Sequence, residues 1–152
     1  MKSVIVVFFL GVVHLGIAQS EVIRKANYNI NSKNISIDGF DPVSYFKGEP
    51  LKGNENIRYT YKGVTYWFSS DLNRKEFEKN PIQYEPQYGG WCAYALGIKP
   101  DKVKIDPKTY KIIDGKLYLF YNFHQMNTLD LWNKDELTLK NIADQNWNSI
   151  LH

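Results

Sequence analysis

Ile57-Arg58-Tyr59-Thr60-Tyr61-Lys62-Gly63-Val64-Thr65-Tyr66-Trp67-Phe68 is a pair of β-rich runs separated by two residues, the second of them glycine. That arrangement is a tight-hairpin signature. Alternation places Ile57, Tyr59 and Tyr61 on one face, and Val64, Tyr66 and Phe68 on one face of the partner strand. Beyond the hairpin, Ser69 or Ser70 caps a predicted helix from about Asp71 to Lys79, with Asp71 favourable near its N-terminus. Asn80-Pro81 ends it. Gly89-Gly90 breaks the chain before a short apolar helix, Trp91 to Leu96, with Gly97 expected as its C′ residue. A second hairpin is predicted for Thr109 to Ile113 and Lys116 to Tyr121 around Asp114-Gly115. Leu139, Ile142, Ala143, Trp147 and Ile150 recur at helical spacing and are expected to face the core. The fold class is α+β. The expectation is a single small domain of two antiparallel β-hairpins packed with several short helices and a helical C-terminus.

Length and composition agree with one domain: 152 residues, 43% hydrophobic and 23% charged, which excludes wholesale disorder and fibrous classes. With 4 Trp, 11 Tyr and 8 Phe the chain can build a core without covalent staples. Most of these rings are expected to be core. The 1 cysteine rules out an intrachain disulfide and any metal site needing two thiolates from one chain. A formal charge of +3, with acids scattered among the bases, gives no footprint for nucleic acid or an anionic membrane. Gly89-Gly90 lacks the lysine and hydroxyl of a phosphate-cradling loop.

The N-terminus reads as an export signal: Met1-Lys2-Ser3, an apolar run from Val4 to Val13, then Leu15-Gly16-Ile17-Ala18. Cleavage is expected after Ala18, with Ser20 as the alternative. The run is too short for a transmembrane anchor, so a periplasmic or secreted protein with no stable membrane anchor is expected. The organisation is then a signal at 1–18, a polar arm at 19–35 and a folded domain at 36–152. Glu21 to Asn34 reads as a tether or loosely packed arm, and Asn34-Ile35-Ser36 is a glycosylation sequon if the source is eukaryotic.

Several dispersed stretches resemble YHS-domain proteins: Asp38-Gly39-Phe40-Asp41-Pro42-Val43-Ser44-Tyr45-Phe46, then Tyr61 to Ser70, then Phe77-Glu78-Lys79-Asn80-Pro81-Ile82-Gln83-Tyr84. Tyr88-Gly89-Gly90-Trp91-Cys92-Ala93-Tyr94-Ala95, the Asp114-Gly115-Lys116-Leu117-Tyr118-Leu119 hairpin and the Ala143-Asp144…Asn146-Trp147 ending resemble its secreted bacterial branch. The likeness runs over about residues 36 to 148. It implies binding or handling of copper or another heavy metal, since the family's cysteine-bearing members are regarded as metal binders. Where those members carry thiolates, however, this chain has Ser44, Ser69 and Asn73, and the name-giving histidine corresponds to Lys62. Hydroxyl and amide groups replace thiolates poorly for a soft ion.

Three uses of the remaining residues stay open. Cys92, His124 and Met126 form a soft donor trio suited to copper or zinc, with Cys92 placed near a helix N-terminus. Residues i and i+2 point the same way on a strand but not on a helix, so His124 and Met126 converge only on a strand. Tyr61, Tyr66, Trp67 and Tyr94 are the candidate lining of a small-molecule or partner pocket. A Cys92–His124 nucleophilic pair would need Asp106, Asp114 or Asp144 as its third member, and nothing in the spacing selects one; an enzyme is not the preferred expectation. Asp38 and Asp41 could form a carboxylate pair, but Asp41 before Pro42 reads better as an N-cap with proline at N1.

Overall fold

Both predicted hairpins form, and each turns on two consecutive residues at positive φ. In the computed structural model, which describes residues 12–152, Lys62 and Gly63 (φ 45° and 80°) join β1 (Asn54–Tyr61) to β2 (Val64–Phe68). Asp114 and Gly115 (φ 50° and 70°) join β3 (Asp106–Ile113) to β4 (Lys116–Phe120). This turn geometry matches the twist of paired strands and selects glycine at its second position. Tyr59 pairs with Tyr66 and Tyr61 with Val64, so the predicted inner face exists, and Val64, Tyr66 and Phe68 are all fully buried. A third, two-residue pairing joins β5 (Asn122–Phe123) to β6 (Met126–Asn127).

Among the described residues, six α-helices accompany these three sheets: α1 (Val12–Asn27), α2 (Asp71–Lys79), α3 (Pro81–Tyr84), α4 (Ala93–Ile98), α5 (Thr128–Trp132) and α6 (Glu136–Leu151). Ser70 caps α2, its Oγ accepting from Asn73 N–H at 3.2 Å. Asn80 closes α2, and Pro81 opens α3 at a position where its missing N–H costs nothing. The result is the α+β domain expected, with its helical C-terminus.

Strand β4 organises the core. Leu117 and Leu119 belong to a cluster with Val64, Tyr66, Phe68 and Phe77, while Tyr118 and Phe120 point the other way, into a cluster with Trp132, Leu139 and Ala143. The strand's period of two thus feeds both sides of the molecule.

Three expectations are corrected. Gly97 does not lie beyond the apolar helix; it is inside α4, where an added Cβ would meet the Leu139 carbonyl oxygen at 2.9 Å and the Leu139 Cβ at 3.0 Å. Its lack of a side chain lets α4 and α6 touch. Gly97→Val is therefore expected to cost about 1–3 kcal/mol by overpacking, read as a lower urea midpoint with an unchanged slope. Ile142 is 36% exposed while Leu139 and Ala143 are buried. At 3.6 residues per turn Ile142 lies about 60° to one side of Leu139, whereas Ala143, Trp147 and Ile150 fall on the other.

The third correction concerns the arm. Glu21 to Asn27 continues α1, and the segment is tied to the body by Asn29 N–H to Gly89 O at 2.9 Å, Asn29 Nδ2 to Gly90 O at 2.9 Å and Trp91 Nε1 to Asn27 O at 2.6 Å. Of the expected export signal, residues 1–11 lie outside the described residues, and helix α1 runs through both expected cleavage points. No described helix is long and apolar enough to cross a membrane.

Candidate functional site

Cys92 is the N-cap residue of α4 and is fully buried. Its position is fixed from three sides: its N–H donates to Val103 O at 2.9 Å, its backbone bridges Leu119 of β4, and Tyr121 N–H donates to Sγ at 3.3 Å. Thr128 Oγ1 lies 3.4 Å from Sγ and gives its own proton to Tyr121 O at 2.8 Å. The thiol therefore donates to Thr128, and every polar group in this chain of contacts is satisfied. Against Cys92 lies a cavity of about 280 Å³ whose walls include Tyr94, Ala95, Val103, Tyr121 and Met126. Lys99 and Asp101 also border it and pair with each other at 2.8 Å; that contact raises the pKa of the exposed Lys99 ammonium.

The soft trio is divided between two places. Cys92 and Met126 border the same cavity. His124 sits at the exposed β5–β6 turn, where it and Gln125 both have positive φ, and it is not among the cavity walls. Among the described residues no three His, Cys, Asp or Glu side chains gather as a metal group. The candidate third members of an enzyme triad are engaged elsewhere: Asp106 accepts from Thr109, Asp144 from Tyr88 and Lys140, and Asp114 forms the β3–β4 turn.

The four candidate pocket aromatics also separate. Tyr94 lines the Cys92 cavity. Tyr61 and Tyr66 belong to a charged cluster around Arg24, which pairs with Glu85, donates to Tyr28 Oη at 2.7 Å and lies 4.3 Å from the Tyr28 ring centroid and 5.5 Å from that of Tyr61. Tyr66 Oη donates to Glu85 Oε1 at 2.6 Å. Burial, reinforced by Glu85, pushes the Tyr66 pKa well above the ordinary phenol value. Burial opposes charge on Arg24, yet Glu85, with smaller contributions from Tyr28 and Tyr66, offsets this and leaves the guanidinium pKa raised. Trp67 lies on the opposite, outer face of the hairpin, its indole against Gly39.

Ser69 and Asn73 converge on one fully buried carboxylate, that of Asp41, and Ser44 bonds the backbone carbonyl of the same residue. Asp41 Oδ2 accepts from Ser69 N–H (2.9 Å), Ser69 Oγ (2.7 Å) and Asn73 Nδ2 (2.7 Å), while Oδ1 accepts from Val43 N–H at 2.9 Å. Ser44 Oγ donates to Asp41 O at 2.7 Å and accepts from Leu51 N–H at 2.9 Å. Lys47 Nζ donates to Asn73 Oδ1 at 2.7 Å. The capping role expected of Asp41 is present: its Oδ1 accepts from Val43 N–H at 2.9 Å and its carbonyl from Ser44 N–H at 3.2 Å, leading through Pro42 and the helical Val43 (φ −74°, ψ −31°) into the 3-10 turn at Ser44–Lys47.

Sequence reasoning missed Val103, Tyr121 and Thr128 as partners of Cys92. Tyr121 stands 29 residues from it and Thr128 stands 36. The only local signal was Asn127, an N-cap whose side chain accepts from Leu129 N–H and so starts α5 at Thr128.

Residues 42–88 match the family model of the YHS domain, a family associated with heavy-metal handling. No curated protein and no solved structure matches the chain.

Proposed function

We propose that this chain, of YHS type over residues 42–88, is an exported small-molecule-binding module whose ligand occupies the cavity against Cys92. The observation that carries the reading is the cavity itself: about 280 Å³, walled by Tyr94, Ala95, Val103 and Tyr121. Apolar walls with a few fixed polar groups are what a small-ligand site requires. The size suits a compact, mainly apolar molecule of one or two rings. Indole at millimolar concentration is expected to raise the wild-type melting temperature, because a ligand held only by the native state stabilises it. Ala95→Phe, which fills the cavity, is expected to show no response. An unresponsive wild type, or an equal response from both proteins, rejects the site.

A second reading is favoured by one observation: the two sulfur side chains of Cys92 and Met126 border the same cavity, a donor pair suited to a cuprous ion. Metal analysis of the purified wild type beside Cys92→Ser and His124→Ala separates the two readings. Equal, metal-free preparations of all three are the expected result. Stoichiometric copper or zinc in the wild type, lost in Cys92→Ser, establishes the metal reading instead. Further loss in His124→Ala would bring the exposed turn into that site.

A further inference from the structure

We propose that the outer face of the first hairpin is a separate binding site for an acidic saccharide unit. Strand pairing assembles it. Arg58 is the register partner of Trp67, and Thr60 that of Thr65, so these four side chains share the face turned away from the core. The two threonine hydroxyls meet at 2.9 Å. Preceding chain supplies a further wall. Asn31 Oδ1 accepts from Lys33 N–H at 2.9 Å and Ile35 N–H at 3.1 Å, and the segment is laid beside β2 by Thr65 N–H to Asn34 O (2.8 Å) and Ser36 N–H to Thr65 O (3.0 Å). Between this segment and the hairpin lies a concavity of about 280 Å³ bordered by Lys33, Glu55, Arg58, Thr60, Thr65 and Trp67.

Three features point to the ligand class. First, Lys33, Arg58 and Glu55 border one hollow, yet none of them is in an ion pair among the described residues. Their polar atoms are available to a ligand, and two cations against one acid favour a molecule carrying a single negative charge. A planar guanidinium matches a carboxylate, while Glu55 and the threonines match hydroxyls. Second, the indole is fixed: a Cβ on Gly39 would fall 2.6 Å from its six-membered ring, and a Cβ on Gly53 would fall 2.5 Å from the Trp67 backbone. An immobilised ring offers a flat apolar wall at little entropic cost. Third, the hollow has room for a single sugar-sized unit. A uronic acid combines a carboxylate, several hydroxyls and a C–H face able to lie on the indole.

The test is an NMR titration of the purified protein with glucuronate, glucose, acetate and glycine. Glucuronate is expected to move the amides of Lys33, Arg58, Thr60, Thr65 and Trp67 and the Trp67 indole N–H, saturating in the millimolar range. Glucose is expected to bind about tenfold more weakly, and Arg58→Gln to bring glucuronate to the glucose level, as loss of one charge-assisted pair implies. Because Arg58 is exposed, that variant tests binding without disturbing the core. Acetate as effective as glucuronate would show an anion site only. Glycine binding more tightly would show an amino-acid site. Either result, or the absence of saturable shifts, overturns the proposal.

Discussion

Asp41→Ala is expected to lower the unfolding free energy by about 3–5 kcal/mol, the range for breaking a buried charged network by removing one partner. Four hydrogen bonds end on this carboxylate, and none of the donors can turn to water without moving the hairpin or α2. The substitution leaves the Ser69 N–H and hydroxyl and one Asn73 amide proton unpaired where they are enclosed, and removes the anion that faces Lys47 through Asn73. Asp41→Asn preserves volume but puts an N–H₂ group among donors or gives up one acceptor, so a smaller loss of about 1–3 kcal/mol is expected. Urea denaturation measures both. A loss under about 1 kcal/mol for the alanine variant would show that the network holds no more than surface contacts do.

The second large effect is alkaline. Tyr45, Tyr66 and Tyr88 are buried, and burial is the leading cause that pushes each phenol well above its ordinary value; Glu85 adds to the effect at Tyr66 and Asp144 at Tyr88. A group whose folded pKa is raised contributes stability that is complete below the unfolded pKa and lost above it. Above about pH 10 the unfolded chain therefore releases at least these three protons that the folded chain retains, and stability falls by at least about 4 kcal/mol per pH unit. With a starting stability of about 5–15 kcal/mol, unfolding is expected within a few pH units. Absorbance at the phenolate band should rise first for the exposed tyrosines, then cooperatively with loss of the far-ultraviolet signal. Smooth titration of all tyrosines before any loss of structure would contradict burial of these three phenols.

What could be read from the sequence is what local geometry decides. Lys62-Gly63 and Asp114-Gly115 declare their hairpins because two adjacent residues at positive φ set the turn and the alternation sets the face. Ser70 declares α2 within four residues. Asp41 shows where such reasoning stops. Its Oδ1 performs the short-range task that Asp-Pro announces, but Oδ2 serves Ser69 and Asn73, 28 and 32 residues away. Gly97 looks like a stop along the chain because its neighbour across space, Leu139, leaves no mark there. The Cys92 cavity was illegible for the same reason, as its walls come from α4, the segment after it and the two-residue pairing that precedes α5. Of the candidate aromatics, Tyr61 and Tyr66 were drawn away by Arg24 and Glu85, charges whose pairing across 61 residues no periodicity records.

The shared cluster beneath the two hairpins bears on how the molecule opens. Val64, Tyr66 and Phe68 from one hairpin and Leu117 and Leu119 from the other lie in a single apolar body with Cys92. The two sheets share this interior, so peeling one away wets the underside of the other. Partial opening through either hairpin is thereby made costly, and the two sheets should exchange their amide protons as one cooperative unit rather than as two.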